Sequence, residues 1–181
     1  LPILIVFFNV IGAVFSNSLI AYGFAKIKFT GRETLFKVVL ATMMIPGFVT
    51  LVPTFVIMSK LHWVNTYLPL IVPVFCGNAF HIFMMRQFYQ TIPNELSEAA
   101  RVDGAGHFYI WGKLIMPLTK PIMATVALVN FKNAWGDFQG PLLYLSDPKK
   151  YTLQLGLQVF KGQGYTEWNY LMAISDRKSV V

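Results

Sequence analysis

Residues able to do covalent chemistry are scattered along this chain. His62, His81 and His107 are far apart and make no metal-ligand spacing. No Gly-rich phosphate loop ends in Lys-Ser or Lys-Thr, and no G-x-S-x-G turn is present. ATP hydrolysis and acyl chemistry are therefore not expected of it: it reads as no enzyme, with no catalytic residue, metal or cofactor of its own. Lys132, Trp135, Asp137 and Phe138 cluster near the outer half of an apolar run. Ionisable groups at membrane depth are functional candidates. Here they could line a path for a sugar, whose hydroxyls need partners and whose ring stacks on aromatic faces. Five residues is a poor helical spacing for a direct Lys132–Asp137 pair. The plainer reading, modestly preferred, puts these groups at the interface with Lys132 snorkelling.

The stronger pattern is mechanical. Glu98-Ala99-Ala100 is followed by Gly104, and a further run ends at Leu114-Ile115-Met116-Pro117. Asn94 after Pro93 is a candidate N-cap and Gly104 a candidate C′ residue, which predicts a helix over 95–103. Leu96, Ala99, Ala100 and Asp103 share one side at three- and four-residue spacing; Glu95, Glu98 and Arg101 share a polar one. The alanines keep the helix thin enough for another protein's groove. Gly104, Ala105 and Gly106 let the chain reverse, and His107 to Ile115 reads as a second short helix stopped by Pro117. Glu-Ala-Ala alone carries little information, because these are common helix formers; the full spacing to Pro117 carries much more.

The surrounding elements read as membrane spans. The chain has 181 residues, 55% of them hydrophobic and 13% charged, with mean hydropathy +0.54. Soluble domains carry about a quarter charged residues. The net charge of +7 would suggest nucleic acid for a soluble protein, but here the basic residues flank apolar runs and orient them, so no nucleic-acid partner is expected. The single Cys76 excludes an intrachain disulfide and reads as a small packing residue.

Four spans are predicted, at 1–25, 35–58, 68–85 and from Leu118 to about Tyr144. Asn9, Ser16, Asn17 and Ser18 interrupt the first, which is tolerated against other helices. Pro46, Gly47 and Pro53 predict a kinked or broken second span, serving either a cavity lining or packing alone. Residues 145–170 are polar and aromatic, and Leu171-Met172-Ala173-Ile174 would open a fifth span. No initiator Met or signal peptide is seen, and the last residues turn polar, so both ends are expected to be truncations. No internal repeat or linker divides the chain, which reads as one helical unit, residues 1–181.

Parity puts the loops 26–34 and 86–117 on one side. They hold Lys26, Lys28, Arg32, Arg86, Arg101 and Lys113, against Lys60 in the opposite connector 59–67. This makes the Glu98 side cytoplasmic. Lys149, Lys150 and Lys161 fall on the other side and weigh against that assignment.

These residues resemble the permeases of ATP-binding-cassette importers, and the 93–117 segment resembles their EAA loop. Flanking matches point to maltose-type sugar permeases, the G-type subunit in particular. They are Asn17-Ser18-Leu19, Ala21-Tyr22, Phe24-Ala25, Phe29-Thr30-Gly31-Arg32, Ala41-Thr42-Met43-Met44-Ile45-Pro46, Pro53, Arg86-Gln87-Phe88 and Ile92-Pro93-Asn94-Glu95-Leu96. Gly140-Pro141-Leu142-Leu143-Tyr144-Leu145 and Tyr151-Thr152-Leu153 match downstream. The resemblance covers about residues 10–174. Leu114 and Met116 are mild apolar departures. Trp135-Gly136-Asp137-Phe138 stands where the family has Trp-Asn-Asp-Phe, so the Asn side chain is missing at Gly136. The family's first and last transmembrane helices are not seen.

The resemblance implies an all-α, polytopic helical bundle of the importer-permease type in a prokaryotic cytoplasmic (inner) membrane, within the lipid bilayer. It implies a second permease subunit, two cytoplasmic ATPase subunits that bind ATP and Mg, and an extracytoplasmic substrate-binding protein. The ATPase-coupling residues carried over are Glu95, Glu98, Ala99, Ala100, Arg101, Asp103, Gly104 and Pro117; Trp135, Asp137 and Phe138 are translocation-path candidates. The expected cargo is a sugar or oligosaccharide. An amino-acid or peptide permease is the nearest alternative. A secondary transporter would show inverted repeats and midplane ion-coupling groups, and a membrane-embedded enzyme a reactive constellation; neither is visible.

Overall fold

The computed structural model describes residues 2–162, and every regular element among them is helical. α1 (Pro2–Lys26), α2 (Arg32–Thr42), α3 (Gly47–Lys60) and α4 (Leu68–Ile71) lead into a 3-10 turn at Val72–Cys76. α5 (Ala79–Gln90), α6 (Asn94–Val102) and α7 (His107–Tyr109) follow, then a π-helical turn at Ile110–Ile115 and α8 (Met116–Leu118). α9 (Lys120–Gly136), α10 (Gln139–Tyr144), a 3-10 turn at Pro148–Lys150 and α11 (Leu153–Gly162) complete the described chain. The segment 171–174 and its expected fifth span lie outside the described residues.

α1 is built inside out. Asn9, Ser16, Asn17 and Ser18 are buried, whereas Ile3, Leu4, Phe7, Phe8, Ile11 and Phe15 are exposed. Apolar-out, polar-in is what a lipid-facing helix needs, because only protein can satisfy its polar groups. The inward groups meet a broken span. Leu68–Gln90 is long and apolar enough to cross a membrane, but the α-helix gives way at the 3-10 turn and at Gly77, where φ is +89°. Asn9 Nδ2 donates to Leu70 O at 2.9 Å, Ser16 Oγ to Val74 O at 3.2 Å, and Asn78 N to Asn17 Oδ1 at 2.7 Å. α1 thus satisfies backbone groups that the break releases. Asn78 Oδ1 then caps α5, accepting from Phe80 N and His81 N. Cys76, expected to pack, is exposed, because the turn offers Val74 to α1 instead.

Ile3–Lys26 is the other long apolar helix, and two bent pairs complete the expected four. α2 and α3 meet at 96°. The break falls at Pro46, whose ψ of 133° precedes α3, while Pro53 is carried inside α3. The 107–118 helix and α9 meet at 82°. The last expected span is shorter than read: α9 ends at Gly136, and Asp137, with ψ 119°, breaks the chain before α10.

The core lies where α1, α5 and the 107–118 helix converge, with Ala21, Met85, Tyr89, Ile110 and Ile115 fully buried. Trp111 Nε1 donates to Ser18 Oγ at 2.9 Å, and Ser18 Oγ lies 2.7 Å from Tyr89 Oη. One buried polar chain therefore joins three elements. The segment after α6 consequently does not lie wholly outside the apolar core.

Candidate coupling segment and outer cleft

α6 begins after Pro93, whose ψ of 139° sets the extended entry. Asn94 is the first helical residue and makes no side-chain cap. Its Oδ1 instead accepts from Lys26 Nζ at 2.9 Å, and the same ammonium donates to Ile92 O. The expected cap is thus a tie to the end of α1.

The C-terminus is closed by a Schellman pair. Ala105 N donates to Ala100 O and Gly104 N to Arg101 O, both at 2.9 Å, with Gly104 at φ +82°. A Cβ at Gly104 would meet nothing within 4 Å. The glycine is required by backbone conformation, not by space.

The inward side of α6 is set by Ser97, buried, and Ala100, half-buried. Leu96 (43% exposed), Ala99, Val102 (87% exposed) and Asp103 point away from the body, as does Glu95. Of the expected side of Leu96, Ala99, Ala100 and Asp103, only Ala100 is half-buried: the stripe turned to the body is centred on Ser97 and Ala100, so that side lies at the edge of the contact and mostly outward. Glu98 and Arg101, both exposed, border a cleft of about 470 Å³ that also touches Lys26, Lys28, Arg32 and Ser97.

Pro117 does not stop the second helix. It lies within α8, and the helix runs on to Leu118 before turning at Thr119, whose N–H reaches Ile115 O and Met116 O. The carbonyl that a proline ring ordinarily meets, that of Lys113, lies in the π-helical turn. Pro117 is exposed and stands at the far end of this helix from α6.

Sequence reasoning missed the ion pair that fixes the same end of the bundle. Arg86 Nη2 donates to Glu33 Oε1 and Oε2 at 2.8 and 3.0 Å, Arg86 Nε to Phe24 O at 3.3 Å, and the guanidinium lies 4.0 Å from the Phe36 ring centre. An Arg-Gln-Phe run closing the third span and a Glu opening the second offered a faint signal. Parity put the loops 26–34 and 86–117 together, and these contacts do join them.

The path candidates separate at the other end. Trp135 stacks on Phe131, centroids 5.8 Å apart, and with Ile5, Val6 and Leu153 borders a small cavity of about 20 Å³. Asp137 borders a different cleft, about 370 Å³, with Phe48, Leu51, Thr54, Gln139 and Tyr144. Phe138 lines neither. Asp137 has a local duty: its Oδ1 accepts from Gly140 N at 3.1 Å. No ion pair joins it to Lys132 among the described residues. Burial pushes the Tyr144 phenol pKa up. Nearby, Asn65 Oδ1 accepts from Ser146 N and Asp147 N, and Lys150 Nζ donates to Asn65 O at 2.7 Å. Lys150 is thus engaged in holding the connector, which the parity argument could not foresee.

An inside-out helical bundle carrying a short amphipathic helix at one end is the architecture of a polytopic membrane protein. The chain belongs to the family of binding-protein-dependent transport system inner membrane components, whose model matches residues 17–175. It is 35% identical over 156 residues to YtcP of Bacillus subtilis, a polygalacturonan/rhamnogalacturonan transport system permease protein, covering 84% of this chain and 54% of that one. It is 32% identical over 165 residues to UgpE of Pectobacterium atrosepticum, an sn-glycerol-3-phosphate transport system permease protein, covering 90% and 58%. A crystal structure of a bacterial ABC transporter involved in the import of the acidic polysaccharide alginate holds a chain with TM-score 0.77 and 28% identity, covering 95% of this chain and 61% of that one. The chain spans a little over half the length of these curated relatives.

Proposed function

We propose that this chain is part of the pore subunit of an ATP-driven, binding-protein-dependent importer, with α6 as the lever that couples it to a separate ATPase. The carrying observation is α6 itself. It presents Leu96, Ala99 and Val102 outward while Lys26, Ser97, Ala100 and the Gly104 turn hold its other side. Exposed apolar residues on a rigidly mounted helix give a partner's groove something to grip. The 107–118 helix continues from that turn into the core at Trp111, so a push on α6 is delivered to α1 and α5. A second permease, two ATPase subunits that bind ATP and Mg, and an extracytoplasmic binding protein complete the assembly on this reading.

The cargo is a carbohydrate, a reading supported by the polygalacturonan/rhamnogalacturonan and alginate systems among the relatives. A polyol phosphate is the competing cargo, because a relative carries sn-glycerol-3-phosphate in its name. Asp137, Thr54, Gln139 and Tyr144 would offer hydrogen bonds along the outer cleft, and Phe48 and Leu51 an apolar wall.

The test is the full-length permease assembled with its partners. Gly104→Val and Glu98→Lys should insert at normal level and lose substrate-stimulated ATP hydrolysis. Normal recruitment and stimulation in both would reject α6 as the coupling element. Titrating the cognate binding protein with oligosaccharides, glycerol phosphate and amino acids decides the cargo; exclusive amino-acid binding would sink the carbohydrate reading.

A further inference from the structure

The cleft between the end of α1 and α6 has a chemistry that coupling alone does not use. Its volume is about 470 Å³, and Lys26, Lys28, Arg32 and Arg101 line it with one carboxylate, Glu98, while Glu95 acts on Lys26 from outside the lining. Arg32 is already paired with Glu33 at 3.0 Å. Lys28 is exposed and carries no bond of its own among the described residues.

Ser97 supplies the second observation. It is 5% exposed, borders the cleft, and its Oγ has no hydrogen-bond partner among the described residues. A buried hydroxyl without a partner is costly and calls for one. Lys26 is almost as buried, and its two acceptors, Ile92 O and Asn94 Oδ1, leave one of its three N–H groups free for a ligand. Arg101 stands at the rim of the same cleft, its Nη2 3.5 Å from His107 Nδ1, which also lies 3.2 Å from Tyr22 Oη.

The donors come from three elements and converge on one space, and they outnumber the acceptors. Such a set fits a compact oxyanion with several acceptor oxygens, which a phosphate group supplies. Lys26 and Gln90 are the last residues of the two long apolar helices, so the cleft lies at the depth where lipid phosphates sit. Basic pockets between transmembrane helices on the cytoplasmic side commonly take anionic headgroups.

We propose that the cleft lined by Lys26, Lys28, Ser97 and Arg101 binds a phosphate group, carried by an anionic lipid headgroup or by a soluble phosphate compound. Binding draws the end of α1 toward α6 and relieves the mutual repulsion of the cations. The state of the cleft then sets how firmly α6 is mounted. Only this regulatory consequence rests on the coupling role of α6; binding itself does not.

The experiment uses the full-length transporter with its partners in nanodiscs. One arm compares phosphatidylcholine alone with phosphatidylcholine plus phosphatidylglycerol, reading retained lipid by native mass spectrometry. The other titrates inorganic phosphate into phosphatidylcholine nanodiscs, reading thermal shift. Wild type should hold the probe in at least one arm. Lys28→Gln should weaken it about fivefold, the effect of one basic residue near a membrane surface. Ser97→Ala should weaken it too, while Lys60→Gln at the opposite end should leave it unchanged. Retention of phosphatidylglycerol alone assigns a lipid source, and a phosphate response alone a soluble one. No binding in either arm, or binding that Lys28→Gln and Ser97→Ala leave intact, overturns the proposal. Normal stimulated hydrolysis in Gly104→Val and Glu98→Lys, with phosphate binding present, would reject the coupling reading and leave this one standing.

Discussion

Arg86 in α5 grips both carboxylate oxygens of Glu33 in α2, at 2.8 and 3.0 Å, although the chain crosses the bundle twice between the two residues. The pair is lopsided: the Arg86 side chain is 7% exposed and that of Glu33 56%. Arg86 also touches Phe24 O and the Phe36 ring. Its removal therefore costs packing and a cation–π contact as well as charge, whereas losing Glu33 costs a solvent-screened partner. Thermal unfolding in detergent should show Arg86→Ala as the larger loss, Glu33→Gln as the smaller, and Arg86→Lys between them. The reverse order would mean that the pair is held by Glu33.

At Gly104 the predicted series follows backbone conformation. The residue has φ +82°, and the space that a Cβ would take is open. Gly104→Ala and Gly104→Val should each cost about 1 kcal/mol of local stability, and Gly104→Asn less. Stimulated ATP hydrolysis of the assembled transporter should fall in that order at constant membrane level. A side-chain size series, with Val far worse than Ala, would point to a steric cause instead.

The Ser18–Tyr89–Trp111 chain should behave as a unit. Ser18→Ala removes the acceptor of Trp111 Nε1 and the partner of Tyr89 Oη. In a membrane such a bond is worth about 1 kcal/mol. A double-mutant cycle of Ser18→Ala with Tyr89→Phe should give a coupling of that order; additive losses would refute it.

Asp137 separates structure from transport. Asp137→Asn keeps an oxygen for Gly140 N and should reach the membrane normally. Asp137→Leu should lose about 1 kcal/mol and accumulate less. Gly140→Ala is expected to be poorly tolerated, because its Cβ would lie 2.5 Å from Asp137 Oδ2 and 3.0 Å from Leu70 Cδ2. Uptake by Asp137→Asn then reads the charge alone: normal uptake removes it from the translocation path.

What the sequence determined by itself was local. Hydropathy placed spans at 1–25 and 68–85, where the structure has long apolar helices at Ile3–Lys26 and Leu68–Gln90, because a span's cost in lipid is summed over its own residues. Gly104 was legible as a C′ residue because a Schellman closure involves only the last turn and two residues beyond it. The breaks at Pro46 and Asp137 show the limit of this. Proline restricts its own turn but did not say which of Pro46, Pro53 and Pro117 would end a helix, since neighbouring turns and packing absorb the other two. Tertiary structure alone decided which way α6 faces, for its rotation is set by Lys26 reaching Asn94 across the gap between two helices. It likewise decided that Ser18 meets Trp111 and that Glu33 meets Arg86. Those pairs are far apart in the chain, and nothing in either residue's neighbourhood names its partner; only the packing of α1 against the 107–118 helix and of α2 against α5 brings them together.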